Sequence, residues 1–391
     1  MIGKGLRFAA RCRSARLASL KKIIRHSNHK SSMSDASIHQ LLQTALESFI
    51  EPESGRAISK SGQVGDWTVA DGVVACRLSL TSLMQPIAQE TADALRDHLL
   101  ANVAGIKSVN VRLDTMYRPA PTIGQIGLKA KSVIAVAAGK GGVGKSTLAA
   151  SIAIVLGRMG SKVGLMDADV YGPSIPHLLG LDGRPEIVDG KIQPIKSGEI
   201  PVMSMGFLVG KDQAVVWRGP MLHGSITQFL RDTAWGELDY LIIDMPPGTG
   251  DVALTLSQLL PLSGVVIVCT PQEVALLDAG KAISMFEKTK VPVLGVVENM
   301  SGFTDPESGK TFDIFGKGGA RNKAEELGVP FLGEVPIQIA LRSESDQGRL
   351  AEVLSNPSIA KPFENICRGL VRSLATQIAN RSTISAPLPI L

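Results

Sequence analysis

The sequence predicts an α/β protein in which a mostly parallel, doubly wound sheet follows a small α+β domain. From residue 133 onwards, apolar runs of strand length alternate with helical patterns, as the βαβ units of a parallel sheet require. The first run, Val133–Ala137, leads into a glycine-rich segment and then into a helix. Before residue 115 the predicted elements instead follow the order αββαβ, which is typical of a separate α+β domain.

Residues 1–34 are set apart by their charge. They contain nine Lys or Arg residues and no acidic residue. This charge of +9 is larger than the net charge of +5 for the whole chain, so residues 35–391 carry a net charge of −4. The basic balance therefore gives no evidence of nucleic-acid binding by the folded part. This leader fits three interpretations: a mitochondrial-type targeting peptide, a basic arm for nucleic acid or anionic lipid, or a translated leader upstream of a start at Met33. In each case we expect it to be disordered.

Composition places the remainder among soluble globular proteins. Hydrophobic residues make up 44% of the chain, but the apolar runs are far shorter than the ~20 residues of a membrane-spanning helix. The four cysteines, Cys12, Cys76, Cys269 and Cys367, form no CxxC pair, which fits a reducing compartment. We therefore expect a cytoplasmic protein whose folded body binds neither nucleic acid nor membrane. An organellar location is the alternative that the leader leaves open.

Residues 35–114 form the predicted α+β domain. Apolar residues at helical spacing begin at Ile38, and Ser34 or Asp35 is available as a helix cap. The predicted elements after this helix are strands Val64–Val69 and Val73–Leu80 joined by Asp71-Gly72, a helix from about Ile87 to Leu100, and a strand Val109–Leu113. Residues 115–131, which have prolines and no periodicity, are the predicted linker.

The segment Gly139–Thr147 has the residues of a phosphate-binding P-loop. Its glycines allow consecutive backbone N–H groups to surround a phosphate, and the start of the following helix adds partial positive charge. Lys145 is placed to neutralise the β- and γ-phosphates, and the Ser146 hydroxyl to coordinate Mg²⁺. The predicted nucleotide-binding residues of this segment are Gly139, Lys140, Gly141, Gly142, Val143, Gly144, Lys145, Ser146 and Thr147.

Three aspartates follow two further buried strands of the predicted sheet. Asp167 ends the run Lys162–Asp167 with Asp169 close behind, and Asp244 ends the run Tyr240–Asp244. The carboxyl ends of parallel strands border the ligand crevice, so these carboxylates should face the nucleotide. We predict that Asp169 orients or activates the attacking water, and that Asp244 holds Mg²⁺ through water with Asp167 in support. Helix capping by Asp167 or Asp169 is the alternative.

The turn after Asp244, Met245–Asp251, is rich in proline and glycine. A loop of this kind beside a γ-phosphate is a natural switch, ordered by the nucleotide and released on hydrolysis. We predict that the backbone N–H of Gly248 binds the γ-phosphate.

Further apolar strands, Val265–Thr270, Val293–Val297 and Phe331–Val335, bring the predicted sheet to about seven strands. The P-loop domain is expected to cover residues 132–380, with residues 381–391 as a tail. Its last helix, from about Pro362 to Ala379, mixes apolar residues with scattered charge and is predicted to pack on the surface of the domain.

Lys140, a second lysine within the P-loop, is not needed to hold phosphates inside one subunit. The loop resembles that of the deviant Walker A group of P-loop NTPases, which includes MinD, ParA and the nitrogenase iron protein. This resemblance implies a homodimer in which Lys140 reaches the partner's nucleotide, much as an arginine finger acts in trans. It also implies that Asn299 reads the adenine and that Mg²⁺-dependent hydrolysis of ATP to ADP and phosphate is slow. The predicted catalytic residues are Lys140, Lys145 and Asp169.

Four further stretches of sequence indicate one branch within this group of NTPases. They are Asp167–Ser174, Trp217–Met221, Asp244–Asp251 and Ile314–Gly319, and together they are similar to the Mrp/ApbC/Nbp branch. The α+β domain resembles the MIP18-like domain that often precedes this branch, so the resemblance covers roughly residues 35–375. It implies an ATP-dependent carrier or scaffold of iron–sulfur clusters, with ATP, Mg²⁺ and a [4Fe-4S] cluster as cofactors. Iron–sulfur apoproteins or other protein clients are the implied partners.

One departure from the family pattern concerns the cluster ligands. Most bacterial relatives carry a CxxC between the Asn-Met-Ser and Ile-Phe-Gly stretches, and two such pairs bridge a cluster across the dimer. Here Asp305 and Ser308 stand at those positions, and Gln85 replaces the usual cysteine of the MIP18-like domain. Carboxylate and hydroxyl groups are hard ligands and poor hosts for a cluster. Cys76 and Cys269 fall in apolar strand patterns and are predicted core residues, so no iron–sulfur ligands are assigned.

Three functions remain open at this point. The first is an ATPase of the Mrp type that serves iron–sulfur assembly with its usual cluster cysteines replaced. The second is a metal-free, nucleotide-switched ATPase that regulates a protein partner. The third is a positioning ATPase of the ParA or MinD kind on DNA or membrane, which the acidic balance after residue 34 disfavours.

Overall fold

The computed structural model describes residues 35–123, 126–207 and 219–384. The predicted leader with Met33, residues 385–391 of the predicted tail, and Trp217-Arg218 of one family stretch lie outside the described residues. Within this part of the chain, no helix has the length and apolar character needed to cross a membrane.

The N-terminal unit is a three-stranded sheet packed against helices. Its elements are α1 (Asp35–Ser48), α2 (Ile58–Ser61), β1 (Val64–Ala70), β2 (Val73–Leu80), a 3₁₀ helix (Ser82–Ile87), α3 (Ala88–Asn102) and β3 (Ser108–Thr115). Strand β1 pairs antiparallel with β2, and β3 pairs parallel with β2. Alternate residues of β2 are buried, including Cys76, which fits the predicted core position.

The second unit is built on a ten-stranded sheet. Its strands, with the separate β7–β8 hairpin, are β4 (Thr122–Ile123), β5 (Leu128–Ala137), β6 (Val163–Asp167), β7 (Ile187–Val188), β8 (Lys191–Ile192), β9 (Ile195–Ser197), β10 (Ile200–Ser204), β11 (Leu238–Asp244), β12 (Gly264–Cys269), β13 (Val293–Thr304), β14 (Thr311–Phe312) and β15 (Phe331–Ile337).

Helices cover both faces of this sheet. They are α4 (Lys145–Arg158), α5 (Ile175–Leu178), a 3₁₀ helix (Met205–Phe207), α6 (Gly219–Asp232), α7 (Asp251–Leu259), α8 (Glu273–Lys288), α9 (Gly319–Glu326), α10 (Ile339–Asp346), α11 (Leu350–Val353) and α12 (Pro357–Ile384). Two apolar cores result: α4 and α12 share one with the N-terminal unit, and α6 and α8 belong to the other. Layers on both faces of a parallel sheet define the doubly wound class.

The topology of the large sheet brings the predicted site residues to one edge. Among the described strands, seven are parallel in the order β15-β13-β12-β5-β11-β6-β10, and the other three are short antiparallel additions. Strand β11 lies between β5 and β6, with Asp244 level with Val136 on one side and Asp167 on the other. The loops after these three strands therefore meet, as the apolar runs predict.

Two strands, β5 and β13, extend at least five residues beyond their predicted ends. Strand β5 begins at Leu128, inside the predicted linker, and pairs there with β4. Leu128 and Ala130 are buried while Lys129 is exposed, so this part of the strand alternates between buried and exposed residues. The alternation is short and lies close to several prolines, and for this reason the sequence was interpreted as a linker. Strand β13 continues past Val297 to Thr304 and pairs with β14, which forms a hairpin at the sheet edge.

The two units contact each other at the edge opposite the P-loop. The Tyr240 hydroxyl, at the start of β11, donates a hydrogen bond of 2.6 Å to the carbonyl of Leu83, and the Ser161 hydroxyl donates one of 2.8 Å to the carbonyl of Ser82. Tyr240 is fully buried. The 3₁₀ helix that carries Gln85 is thus part of this contact.

Candidate nucleotide-binding site

The P-loop connects β5 to α4, as the sequence predicts. Helix α4 begins at Lys145, inside the predicted loop segment Gly139–Thr147. Gly142 and Gly144 have φ angles of 82° and 81°, in the left-handed region that favours glycine. Gly139 meets a different constraint, because a Cβ there would collide with the backbone of Asp278 in α8. The loop thus needs glycine for its curvature and for its close packing against α8.

Lys145 is the central cation of the site. Its Nζ lies 2.6 Å from Asp244 Oδ1, 3.6 Å from Asp169 Oδ2 and 3.2 Å from Ser146 Oγ. The side chain is nearly inaccessible to solvent, with a relative exposure of 7%. The last residue of β11 and the first residue of α4 are therefore joined by a buried ion pair.

Asp244 has one oxygen that is buried and unused. Its Oδ2 has no hydrogen-bond partner among the described residues, although the residue is fully buried. Burial raises the pKa of this carboxyl, and the nearby Lys145 ammonium opposes the rise. An unpaired buried carboxylate oxygen beside the Ser146 hydroxyl is a hard-ligand arrangement that fits Mg²⁺.

Asp167 is already saturated by hydrogen bonds within the fold. Its Oδ1 accepts from the Asp169 N–H at 3.1 Å, and its Oδ2 accepts from Ser204 Oγ at 2.9 Å and from the Ile175 N–H at 3.2 Å. Burial, with the nearby Asp244 carboxylate, raises its pKa to about 8. The contact with Ile175, the first residue of α5, is of the capping kind considered as the alternative. The support of Asp167 for Mg²⁺ stays a prediction.

Asp169 shapes the loop that follows β6 and faces Lys145. Its Oδ1 accepts hydrogen bonds from the backbone N–H groups of Tyr171 and Gly172, at 3.3 and 3.2 Å. Its Oδ2 is the oxygen 3.6 Å from Lys145 Nζ. The carboxylate therefore lies at the P-loop, where the sequence places it, and its role toward water stays a prediction.

Gly248 and Asn299 both contact the P-loop itself. The Gly248 N–H donates to the carbonyl of Ala138 at 2.8 Å, and Asn299 Nδ2 donates to the carbonyl of Val143 at 2.8 Å. Each predicted ligand contact would therefore replace or extend a bond that exists here. For Gly248 this means that binding a γ-phosphate requires release from Ala138.

The remaining predicted loop residues differ in exposure. Gly141 and Gly142 are exposed, Ser146 and Thr147 are half-buried, and Val143 is buried. Lys140 is half-buried, and no described residue forms a hydrogen bond or ion pair with it. Its side chain is thus not part of the Lys145 network.

The sequence of this chain also matches a known family. Residues 129–371 match the family model "ParA: NUBPL iron-transfer P-loop NTPase". The chain belongs to this family. The resemblance to the Mrp/ApbC/Nbp branch and the predicted P-loop NTPase fold are therefore confirmed.

Two curated members of the family illustrate the similarity. The chain is 44% identical over 359 residues to the iron-sulfur cluster carrier protein of Deinococcus radiodurans, which covers 90% of this chain and 100% of that protein. It is 46% identical over 248 residues to the iron-sulfur protein required for NADH dehydrogenase, mitochondrial, of Arabidopsis thaliana, which covers 62% of this chain and 79% of that protein. Both matches exceed the identity at which two chains share a fold.

A solved structure also supports the assignment to the P-loop NTPases. The nucleotide-binding protein from Archaeoglobus fulgidus, determined in complex with ADP, is 45% identical to this chain, with a TM-score of 0.52. The match covers 57% of this chain and 89% of that protein.

In this member of the family, Asp305 and Ser308 lie at the tip of the β13–β14 hairpin. Ser308 Oγ donates to Asp305 Oδ2 at 2.5 Å, and the Glu307 N–H donates to Asp305 Oδ1 at 3.1 Å. These bonds lower the pKa of the Asp305 carboxyl. The hairpin tip therefore offers hard, mutually bonded oxygen atoms where the sequence comparison expects thiolates, and it does not fit an iron–sulfur cluster.

The described cysteines do not fit a cluster in this conformation either. Cys76, Cys269 and Cys367 are all buried and unpaired with one another. Burial raises the pKa of each thiol, to about 12 for Cys269, so the thiolate form that binds iron is disfavoured.

Sequence reasoning missed one residue that organises this hairpin. The Glu298 carboxylate is fully buried where the pairing of β13 with β12 ends. It accepts hydrogen bonds from Ser301 Oγ at 2.6 Å and from the N–H groups of Gly318 and Ala320 at 2.8 and 2.7 Å. It fastens the base of the hairpin to the start of α9. The available signal was an acid directly after a buried strand and next to Asn299.

Proposed function

We propose that this chain is an ATP-binding and ATP-hydrolysing homodimeric assembly factor for iron–sulfur clusters, with the usual cluster cysteines replaced. The observation that carries the nucleotide part is the unused, buried Oδ2 of Asp244 beside Lys145 and Ser146. Family membership carries the iron–sulfur part. The cluster is then a cargo held by partner proteins.

The P-loop residues bind and neutralise the triphosphate. Backbone N–H groups of residues 139–147 surround the β-phosphate, and Lys145 leaves its ion pair with Asp244 to contact the β- and γ-oxygens. Ser146 and Asp244 would hold Mg²⁺, which supplies charge neutralisation to the phosphates when bound. Asp169 then accepts a hydrogen bond from the attacking water and orients it towards the γ-phosphorus.

The loop after β11 changes its hydrogen bonds when phosphate is released. In the structure the Gly248 N–H is bonded to Ala138 O, and a γ-phosphate competes for the same donor. The loop therefore has two alternative acceptors, one in the protein and one in the nucleotide, which is the requirement for a switch.

Lys140 supports the proposed homodimer. It is half-buried and outside the Lys145 network, so it is available to a nucleotide bound by a second copy. Charge supplied in trans to a phosphoryl transfer site acts mainly on hydrolysis and not on binding.

A metal-free regulatory ATPase is the second candidate function. It is favoured by the chemistry of the described cysteines and of the hairpin tip, which do not fit a cluster. It shares the ATP site, the switch and the dimer with the first candidate, and differs only in its clients.

Anaerobic reconstitution with iron and sulfide separates the two. Iron would be counted, and absorbance near 400 nm recorded, for the chain alone and with an apoprotein that accepts a [4Fe-4S] cluster. Cluster transfer to the apoprotein that requires ATP supports the assembly factor. Intact ATPase activity with no effect on cluster transfer supports the metal-free switch, and absence of ATP turnover contradicts both.

A further inference from the structure

Helix α8 has one face that no described element covers. The face toward the sheet is apolar and buried, and it consists of Ala275, Ala279, Ala282, Ile283, Met285 and Phe286. Positions spaced by three and four residues on another face line an open groove of about 600 Å³ together with the buried Met285, and they are Leu277, Gly280, Lys281, Ser284 and Lys288. A continuous helical stripe therefore borders solvent over most of the length of α8.

The walls of the groove come from two neighbouring helices and the switch loop. Lys323 of α9 and Leu327, the residue directly after α9, form one wall, and Leu254 of α7 with Thr249 forms the other. Leu277 is 56% exposed on the groove floor. A Cβ at Gly280 would meet only the Lys323 side chain, at an ordinary 3.6 Å, so the middle of the floor has room for a partner's side chain.

The rim of the groove is basic. Three lysines line it and no acidic residue does. Lys281 is paired with Asp278 at 2.9 Å and Lys323 with Glu326 at 2.7 Å, each on its own helix, whereas Lys288 has no ion pair with a described residue. Exposed pairs of this kind contribute little to stability, so the lysines can exchange these partners for acids on another molecule.

We propose that this groove binds an acidic amphipathic helix of a protein partner. An apolar stripe on such a helix matches the leucine side chains that line the groove, and flanking acids match the lysine rim. A membrane surface is a poorer match, because three lysines are fewer than lipid-binding clusters use. Thr249 places the occupant beside the switch loop. The proposal goes beyond the ATPase function and requires no nucleotide turnover.

The test is fluorescence anisotropy with the full chain and a labelled helical peptide of about 16 residues, the length of α8. The peptide carries leucines at positions i, i+4, i+7 and i+11 and glutamates on either side. One control peptide has lysine in place of each glutamate, and the other has the same composition in scrambled order. We expect the acidic amphipathic peptide to bind about tenfold more tightly than either control.

Protein variants locate the binding. The double variant Lys281→Glu/Lys288→Glu and the groove-filling Gly280→Leu should each weaken peptide binding about tenfold or more while leaving ATPase activity unchanged. Lys361→Glu is the matched control, because Lys361 is similarly exposed and paired with an acid three residues away. Lys145→Ala should still bind the peptide, which separates failure of the groove from failure of the ATP site.

Several outcomes overturn the proposal. They are no binding of the acidic peptide by the wild-type chain, equal binding by the double variant, and equal binding of the lysine peptide. Binding of phosphatidylglycerol vesicles that is lost in the double variant, without peptide binding, would assign the lysines to a lipid surface instead.

Discussion

Lys145 and Asp244 form a buried ion pair whose Nζ–Oδ1 distance is 2.6 Å. A phosphate and the Asp244 carboxylate therefore compete for one ammonium group. If Lys145 turned to the phosphate, Asp244 would lose its cation, and a metal ion beside Ser146 would be its natural replacement. We therefore expect binding of ATP and binding of Mg²⁺ to be mutually dependent in this chain.

The first prediction concerns Lys145. Lys145→Ala should abolish ATP binding, or weaken turnover by at least about 10²-fold, because the β- and γ-phosphates lose their main counter-charge. Binding would be followed with a fluorescent ATP analogue and turnover by phosphate release. Lys310→Ala, in the exposed hairpin, is the control and should behave as wild type. Retained turnover in Lys145→Ala would contradict the P-loop assignment.

The second prediction concerns the trans role of Lys140. Lys140→Ala should bind ATP normally but hydrolyse it about 10²-fold more slowly or worse, since the contact acts on the transition state. Mixing this variant with Asp169→Ala should restore activity, because in the mixed dimer an intact site receives Lys140 from its partner.

Phosphate release and sedimentation would be measured on the mixture and on each variant alone. Failure of the mixture to regain activity, although mixed dimers form, would show that Lys140 acts within its own subunit.

The third prediction separates binding from chemistry at Asp169. Asp169→Ala should slow hydrolysis more than it weakens ATP binding, because its carboxylate orients water rather than holding phosphate. Asp169→Asn is the informative companion, since it retains an acceptor for the Tyr171 and Gly172 N–H groups. If both variants mainly lose affinity, Asp169 is a structural residue of the loop.

The fourth prediction follows from the pKa of Asp167, which burial raises to about 8. In the unfolded chain this carboxyl ionises near its ordinary value of 3.8, so between about pH 4 and pH 8 the native state binds more protons than the unfolded state. The contribution of Asp167 to the free energy of unfolding must then fall as pH rises through this window.

Asp167→Asn removes the titration and keeps an acceptor for the Ser204 hydroxyl. Urea unfolding at a series of pH values should therefore give a flatter pH dependence for Asp167→Asn than for wild type, by a few kcal/mol across the window. Parallel curves would mean that Asp167 is ionised in the native protein.

The fifth prediction restores thiols to the hairpin. The double variant Asp305→Cys/Ser308→Cys should bind iron after anaerobic reconstitution, at about four iron atoms per dimer, because soft thiolate ligands replace hard oxygen ligands. Glu307→Cys/Lys310→Cys has the same CxxC spacing two residues further along and serves as the control. Equal iron content in the two variants would contradict the assignment of positions 305 and 308.

The elements that the sequence predicted best are those whose patterns are local. The apolar runs ending in Asp167 and Asp244 have uniform burial, and the glycines of the P-loop are required by local backbone geometry, so both could be placed without a structure. The sequence predicted a mostly parallel sheet of about seven strands; the described sheet has ten, of which seven are parallel and three are short antiparallel additions. Residues 128–131 were misjudged because two lysines interrupt a short buried alternation.

The parts that could not be predicted depend on contacts between distant segments. The role of Glu298 depends on the hydrogen bonds that it accepts from Gly318 and Ala320, which lie at a distant point of the sequence. The same holds for the bond between Gly248 and Ala138, since either backbone group alone carries no sequence signal. The types of the side chains predicted which residues lie in the site. Which of their atoms already form hydrogen bonds within the protein depends on the fold.

Strand β11 connects two distant parts of the molecule. Asp244 lies at its carboxyl end in the ATP site, and Tyr240, about 13 Å away along the strand, is bonded to Leu83 of the N-terminal unit. Separating the units would strip a fully buried phenol of its acceptor. A displacement of β11 at its carboxyl end would therefore reach the N-terminal unit through the side chain of Tyr240.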